Sequence, residues 1–280
     1  MTWIPLQTFP PAADLTALHI YLDKLALPHH FTEELHEQVL WVPDAPTAQR
    51  AQEAMRRLAD NPNLAATTPA PKQQTRPLAL PAFADAPVTW VLAALCVLGY
   101  VCSFFPVLYQ RLTFLPAVMP HADFKSVWAF WHSSGQYWRL LTPTFLHWTL
   151  LHIVFNGLWF IELGKRLESY LSLFGFLVLF LFLAVAGNCA QFWYEPQNPF
   201  GGVSAVLYGL FGFIAVVQRF DPAPALALPK ILFIIMLAFM LVGFLGVLGP
   251  MANAGHFGGL VAGLFAGALY GFGLWLKKCR

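Results

Sequence analysis

From residue 88 onward the chain alternates between long apolar runs and short polar breaks. Runs at about 88–108, 147–168, 170–193, 202–218, 229–248 and 254–275 each approach the ~20 residues that a bilayer core requires of a helix. The first 65 residues follow shorter periods. Trp3-Ile4-Pro5-Leu6 reads as a strand, and residues 14–27 have helical spacing with Leu15, Leu18, Leu22 and Leu25 on one face. Residues 36–42 read as a second strand, and 47–58 as a second helix with Ala48, Ala51, Met55 and Leu58 inward. So short an alternation predicts a small soluble α+β domain over 1–65, with helices on one face of a sheet. Residues 66–87 are rich in proline and alanine and show no period, as in an extended linker. The fold class that follows is an all-α polytopic membrane protein, a six-helix transmembrane domain over 88–280 behind the α+β domain.

Composition agrees with the pattern. The chain is 58% hydrophobic and 11% charged, against roughly a quarter charged in soluble domains. A net charge of +2, dispersed along the chain, excludes a nucleic-acid partner. Cys96, Cys102, Cys189 and Cys279 have neither metal-ligand spacing nor the look of a disulfide framework. His19, His29, His30 and His36 fit no ligand pattern and read as surface histidines, so neither metal nor cofactor is expected. Residues 1–40 carry no basic start followed by an apolar run, which makes the first membrane segment an internal one. Lys165-Arg166, Arg219 with Lys230, and Lys277-Lys278-Arg280 follow the second, fourth and sixth segments, and the loops after the third and fifth lack Lys and Arg. Both termini are therefore expected in the cytoplasm. The loop 109–146 departs from the bias with Arg111, Lys125 and Arg139. Its aromatics (Phe124, Trp128, Phe130, Trp131, Tyr137 and Trp138) suit a structure lying in the outer interface.

This topology places the polar residues by depth. Gly201-Gly202-Val203-Ser204 follows a turn-rich loop and puts Ser204 in the first turn of the fourth segment, near its outer end. His256 opens the sixth segment at the same level, and His147, His152 and Asn156 lie in the outer half of the second. Polar groups at membrane depth are costly and usually mark function. Ser204 and His256 suit a nucleophile and its general base. Glu168 and Asp221 fall on the cytoplasmic side and Glu195 in an outer loop, so a dyad is the more economical arrangement than a triad. Tyr208, one turn after Ser204, either holds the imidazole or packs as an ordinary aromatic. His152 and Asn156 share a face and offer oxyanion donors beside the Ser204 amide, or else simply bond neighbouring helices; His147 reads as structural. Gly259, Gly263, Gly267 and Gly271 form a small-residue stripe on the His256 face, for packing on the Ser204 helix or for dimerisation.

Gly202-Val203-Ser204-Ala205 with Tyr208, His256-Phe257-Gly258-Gly259 with Gly263, and His152-x-x-x-Asn156 resemble the motifs of rhomboid intramembrane serine proteases. Trp138-Arg139 resembles the family's first-loop motif, and Gly164 with Glu168 the end of its second helix. The N-terminal domain and linker are similar to the bacterial GlpG-type subgroup. Gly255 and Ala205 depart from common family choices, small residue for small. The resemblance implies Ser204 as nucleophile, His256 as base, His152 and Asn156 at the oxyanion, and Tyr208 as support for His256. It makes Trp138, Arg139 and Glu168 structural and requires no metal or cofactor. The implied activity is cleavage of transmembrane segments of membrane proteins near their outer, periplasmic end, from a site in the bacterial inner membrane and in contact with its lipid. The loop of Gly246, Gly249, Pro250 and Asn253 reads as a lid, with Phe244 in a lateral gate. A catalytically inactive rhomboid-like binding factor is the alternative; a transporter is disfavoured because the six segments show no internal repeat. The N-terminal domain is open to a partner, to a homodimer or to a role in solubility alone.

Overall fold

The computed structural model describes residues 3–33, 37–66, 82–116, 119, 122–196, 199–247 and 251–278. The chain divides into two compact units, Met1–Ala79 with Asp221–Ala227, and Leu80–Phe220 with Leu228–Arg280.

The first unit carries β1 (Ile4–Phe9), α1 (Thr16–Lys24), β2 (His30–Glu33), β3 (Gln38–Val42), α2 (Ala45–Asp60) and the short α3 (Asn63–Ala66). Its antiparallel sheet has the order β1-β3-β2. Pro5 cannot donate to a ladder, and the register of β1 shifts between Pro5 and Gln7. Asp44 caps α2 by accepting from the Thr47 N–H at 2.7 Å, and a proline stands in the helix's first turn. Leu18, Leu22, Leu40, Val42, Ala51 and Ala54 form the core. Two details differ from the sequence reading. The strand β2 is too short and too mixed in polarity (His-Phe-Thr-Glu) to show an alternation. Leu25 is exposed and Leu27 buried in its place, because α1 stops at Lys24 and Ala26 turns the chain at φ 49°.

The second unit holds the apolar helices. A 3₁₀ turn at Phe83–Asp85 leads into α4 (Pro87–Cys102), then α5 (Pro106–Leu112) and α6 (Phe124–Ser134). The first apolar run was expected to stay helical to 108; it breaks at 103–105, where Phe105 is extended ahead of Pro106. Two further 3₁₀ turns, Tyr137–Leu140 and Thr142–Phe145, precede α7 (Leu150–Tyr194). This is a helical hairpin: Ser172 breaks it at φ 73°, and the rings of Phe160 and Phe180 lie 5.7 Å apart. In one straight helix those residues would stand roughly 30 Å apart. Helices α8 (Ser204–Val217), α9 (Lys230–Phe244) and α10 (Asn253–Lys278) complete the unit. Ten of the fourteen residues of α8 are buried, which makes it the central element. The bundle's outside is apolar: Val91, Leu95 and Leu98 of α4, Leu151 and Leu158 of α7, and Ile231 and Ile234 of α9 are all exposed. A helical membrane bundle presents such a surface to lipid. Phe114, Val127, Trp131, Phe192 and Phe200 give the loop between α4 and α7 its own core.

The bundle is tied at one end by a buried carboxylate. Glu168 accepts from the Val88 N–H at 2.9 Å, the Thr89 N–H at 2.8 Å and the Thr89 hydroxyl at 2.6 Å, which caps α4 with a side chain of α7. Thr89 fits there because Gly164 has no Cβ; one would stand 2.7 Å from its side chain. Removing the carboxylate leaves buried donors unmet, so Glu168→Ala is expected to cost about 3 kcal/mol of stability. Glu168→Gln, which keeps one acceptor, should cost less. Unfolding in detergent measures both, and a Glu168→Ala variant as stable as wild type would refute the tie.

Candidate active site

Ser204 is positioned by the two glycines before it. Gly202 has φ 111°, which side chains rarely adopt, and its N–H donates to the Pro143 carbonyl at 3.0 Å. A Cβ on Gly202 would lie 2.9 Å from the His152 ring, and one on Gly201 would lie 2.7 Å from the Pro143 oxygen. The chain therefore passes beneath the 142–145 turn and His152, and Ser204 becomes the first residue of α8. Val203, at the cap, offers no side-chain acceptor. The leading amides of α8 keep their positive end toward the site.

His256 lies one turn into α10, its N–H bonded to the Ala252 carbonyl at 3.0 Å. Its Nε2 stands 2.8 Å from Ser204 Oγ. The residue is 4% exposed, and its buried Nδ1 makes no hydrogen bond. Glycines permit this approach of α8 and α10. A Cβ on Gly259 or on Gly263 would overlap the carbonyl of Ala205 or of Gly209, and one on Gly267 would meet the Phe213 carbonyl at 2.9 Å. The stripe of small residues is thus occupied within this chain by the helix that bears Ser204. The ring of Tyr208 lies 4.9 Å from the His256 ring at 34°, and its hydroxyl donates to the Met236 carbonyl at 3.1 Å. Tyr208 therefore joins α9 to the face of the imidazole.

Thr149 caps α7 by accepting from the His152 N–H at 3.1 Å. The His152 ring and the Asn156 amide both reach Gly202, two residues before Ser204. Asn156 Nδ2 is buried and makes no hydrogen bond. His147 lies 3.0 Å from the Phe145 carbonyl through Nδ1. Arg139 donates through Nη1 to the Gln110 and Thr113 carbonyls at 2.9 and 2.6 Å. Trp138 Nε1 donates to the Arg111 carbonyl at 3.1 Å. These two residues brace the end of α5.

Sequence reasoning missed Asn188 and Gln191. Gln191 Oε1 accepts from the Gly255 N–H at 2.9 Å, which fixes the start of α10 one residue before His256. Its amide donates to Glu195 at 3.0 Å. Asn188 donates to the Leu140 carbonyl and the Thr144 hydroxyl at 2.9 and 3.0 Å. Both face a small recess that also touches Ser204 and Gly202. Two amides three residues apart in an apolar run were the available signal. Of the lid residues, Gly249 and Pro250 lie outside the described residues. Gly246 has φ 73°, and Asn253 donates to the Gly243 carbonyl at 3.0 Å. Phe244 is exposed at the end of α9; the aromatic that stacks on α7 is Phe239, against Phe155 at 6.0 Å. Among the described residues no trio of metal-ligating side chains gathers at Ser204.

A hydroxyl, an imidazole and a helix N-terminus so arranged can transfer an acyl group. Comparison with known proteins gives the arrangement a family. Residues 134–272 match the Rhomboid domain model, and residues 1–67 match the Rhomboid N-terminal domain model. Rhomboid protease GlpG of Yersinia pestis (strain Pestoides F) is 36% identical over 142 residues, 49% of this chain and 51% of that protein. Rhomboid protease GlpG of Photorhabdus laumondii is 33% identical over 141 residues, 49% of this chain and 50% of that protein. The aligned stretch spans about half the length of these curated relatives. The N-terminal domain and the part of the bundle from residue 134 match models of one family, and the chain belongs to the rhomboid family.

Proposed function

We propose that the chain is an intramembrane serine endopeptidase that cuts membrane-spanning segments of other proteins. The observation that carries this reading is the 2.8 Å approach of Ser204 Oγ to His256 Nε2 at the uncapped N-terminus of α8. The names of the relatives, rhomboid proteases, support it. With its proton on Nδ1, His256 offers the Nε2 lone pair to the Ser204 hydroxyl. Oγ attacks the scissile carbonyl as the proton passes to Nε2, and that proton then leaves with the amine product. Water, deprotonated by the same nitrogen, hydrolyses the acyl-enzyme and returns the serine. The oxyanion of each tetrahedral intermediate is held by the Ser204 N–H, His152 and Asn156. The unpaired Asn156 Nδ2 supports this assignment, since a buried donor without an acceptor awaits one.

Two problems are particular to a membrane. Water must reach the acyl-enzyme, and a small recess lined by Asn188, Gln191 and Gly202 adjoins Ser204. A helical substrate must also expose backbone, so segments with glycine, proline or small residues near the cut unwind best. The substrate comes in past α9, which buries only Met236 and Gly243 of its fifteen residues. From the Lys and Arg distribution, the site opens to the periplasmic side of the bacterial inner membrane, with both termini in the cytoplasm.

The test compares wild type with Ser204→Ala in detergent on a single-span substrate whose outer end is rich in small residues. Wild type is expected to cut, and the variant to lose at least about 10³-fold. Equal cutting by both would remove Ser204 as nucleophile. Substrate that co-purifies with both yet is cut by neither would favour a rhomboid-like binding factor.

A further inference from the structure

The first unit brings a third side chain, His29, to a pair that already shares one face of α1. His19 and Asp23 stand one turn apart on α1, with His19 Nε2 3.6 Å from Asp23 Oδ2. The chain then turns through Ala26 at φ 49° and returns His29 to the same place, just before β2. His29 Nδ1 lies 2.8 Å from the Leu27 carbonyl. A carbonyl can only accept, so this nitrogen carries the ring proton and Nε2 presents a lone pair. That lone pair points at His19 Nδ1, 2.7 Å away. The His29 side chain is 2% exposed, while those of His19 and Asp23 are 53% and 48% exposed. The His29 ring is also held edge-on by Phe31 at 5.8 Å. One ligand atom from each of the three residues lies within 4.8 Å of the others.

We propose that His19, Asp23 and His29 form a binding site for one divalent transition-metal cation of the zinc class. Tetrahedral zinc with ligands at about 2.0 Å sets its ligand atoms roughly 3.3 Å apart. The half-exposed side chains of His19 and Asp23 reach that spacing by small rotations, while His29 stays fixed. A backbone carbonyl on the non-ligating ring nitrogen is the usual outer partner of a metal-bound histidine, setting both tautomer and ring angle. With Nδ1 held by the Leu27 carbonyl, His29 Nε2 is the nitrogen left to ligate. Two imidazoles and a carboxylate favour zinc, nickel or copper over magnesium or calcium, which prefer all-oxygen sites. The fourth position faces solvent and takes water. Bound there, the cation ties the end of α1 to the start of β2 across the Ala26 turn. The three residues all belong to the first unit, and Ser204 belongs to the second.

The experiment uses the full chain in detergent with any affinity tag removed. Zinc is titrated in competition with a chromophoric chelator at pH 7.5. One equivalent is expected to bind wild type, and His19→Ala and Asp23→Asn are each expected to weaken that binding by at least about tenfold. His132→Asn, a histidine variant in the loop between α4 and α7, should bind as wild type does. Zinc should raise the melting temperature of wild type and leave that of His19→Ala unchanged. The altered side chains are half exposed, so both variants should melt as wild type does without metal. The site is refuted if wild type takes up no zinc at 100-fold excess over protein, if the variants bind as tightly as wild type, or if His132→Asn loses the same equivalent.

Discussion

Alanine at both Ser204 and His256 is expected to reduce peptide-bond cleavage no further than alanine at either position alone. Each single replacement should cost about 10³–10⁶-fold, and the double variant should fall at the same level. The reason lies in the 2.8 Å contact between Oγ and Nε2. The hydroxyl is a weak nucleophile until a base takes its proton, and the base acts on water only once that serine carries the acyl group. Removing one member therefore leaves the second nothing to do. The residual rate comes from the α8 amides and the donors around Gly202, which both variants retain. Initial cleavage rates of the four proteins under one condition measure the coupling. Losses that multiply would show two independent groups and would dismiss the dyad. Tyr208→Phe is a useful companion. It keeps the ring on His256 and loses only the bond to the Met236 carbonyl, so about a tenfold loss or less is expected.

The parts of this arrangement that were legible in the sequence share one property: each is a local pattern. Ser204 in a first helical turn, His152 and Asn156 one turn apart, and glycines at intervals of four along α10 all follow from a helix's period. The six apolar runs declared the bundle, although the first of them breaks at Ser103, ahead of Pro106, where the apolar pattern continues to 108. The hairpin in α7 was visible as two runs, but its pivot, Ser172 at φ 73°, was not, because serine has no particular preference for that conformation. What stayed hidden depends on contacts between distant segments. Gln191 counts only because Gly255 lies opposite it. His19 and Asp23 share one face of α1, but His29 joins them only through the Ala26 turn, which no spacing among the histidines announces. Trp131 and Phe114 form a core for the loop between α4 and α7 that composition alone could read only as interfacial aromatics.

Gly263→Ala is expected to damage both stability and cleavage, while Gly273→Ala on the same helix should harm neither. A Cβ on Gly263 would overlap the Gly209 carbonyl, whereas one on Gly273 meets nothing within 4 Å. The atom opposed at Gly263 is main chain and cannot swing aside as a long side chain would. The contact is also reciprocal: a Cβ on Gly209 would stand 3.0 Å from the Gly259 carbonyl, and one on Gly212 2.7 Å from that of Leu260. The two backbones are therefore already at their closest approach, and an added methyl must force α8 and α10 apart. That strain should cost about 1–3 kcal/mol, and more for Gly263→Val. The effect on cleavage should be larger than stability alone explains. Ser204 is carried by α8 and His256 by α10, so a displacement of about 1 Å takes Oγ and Nε2 out of hydrogen-bond range and is expected to cost about 10²-fold. At Gly273 the substitution adds only helix propensity and should be neutral or slightly stabilising. Melting in detergent and cleavage rates on the folded fraction separate the two effects. A Gly263→Ala enzyme that melts lower yet cuts at the wild-type rate would show that the bundle absorbs the methyl elsewhere and that the stripe does not set the distance between Ser204 and His256.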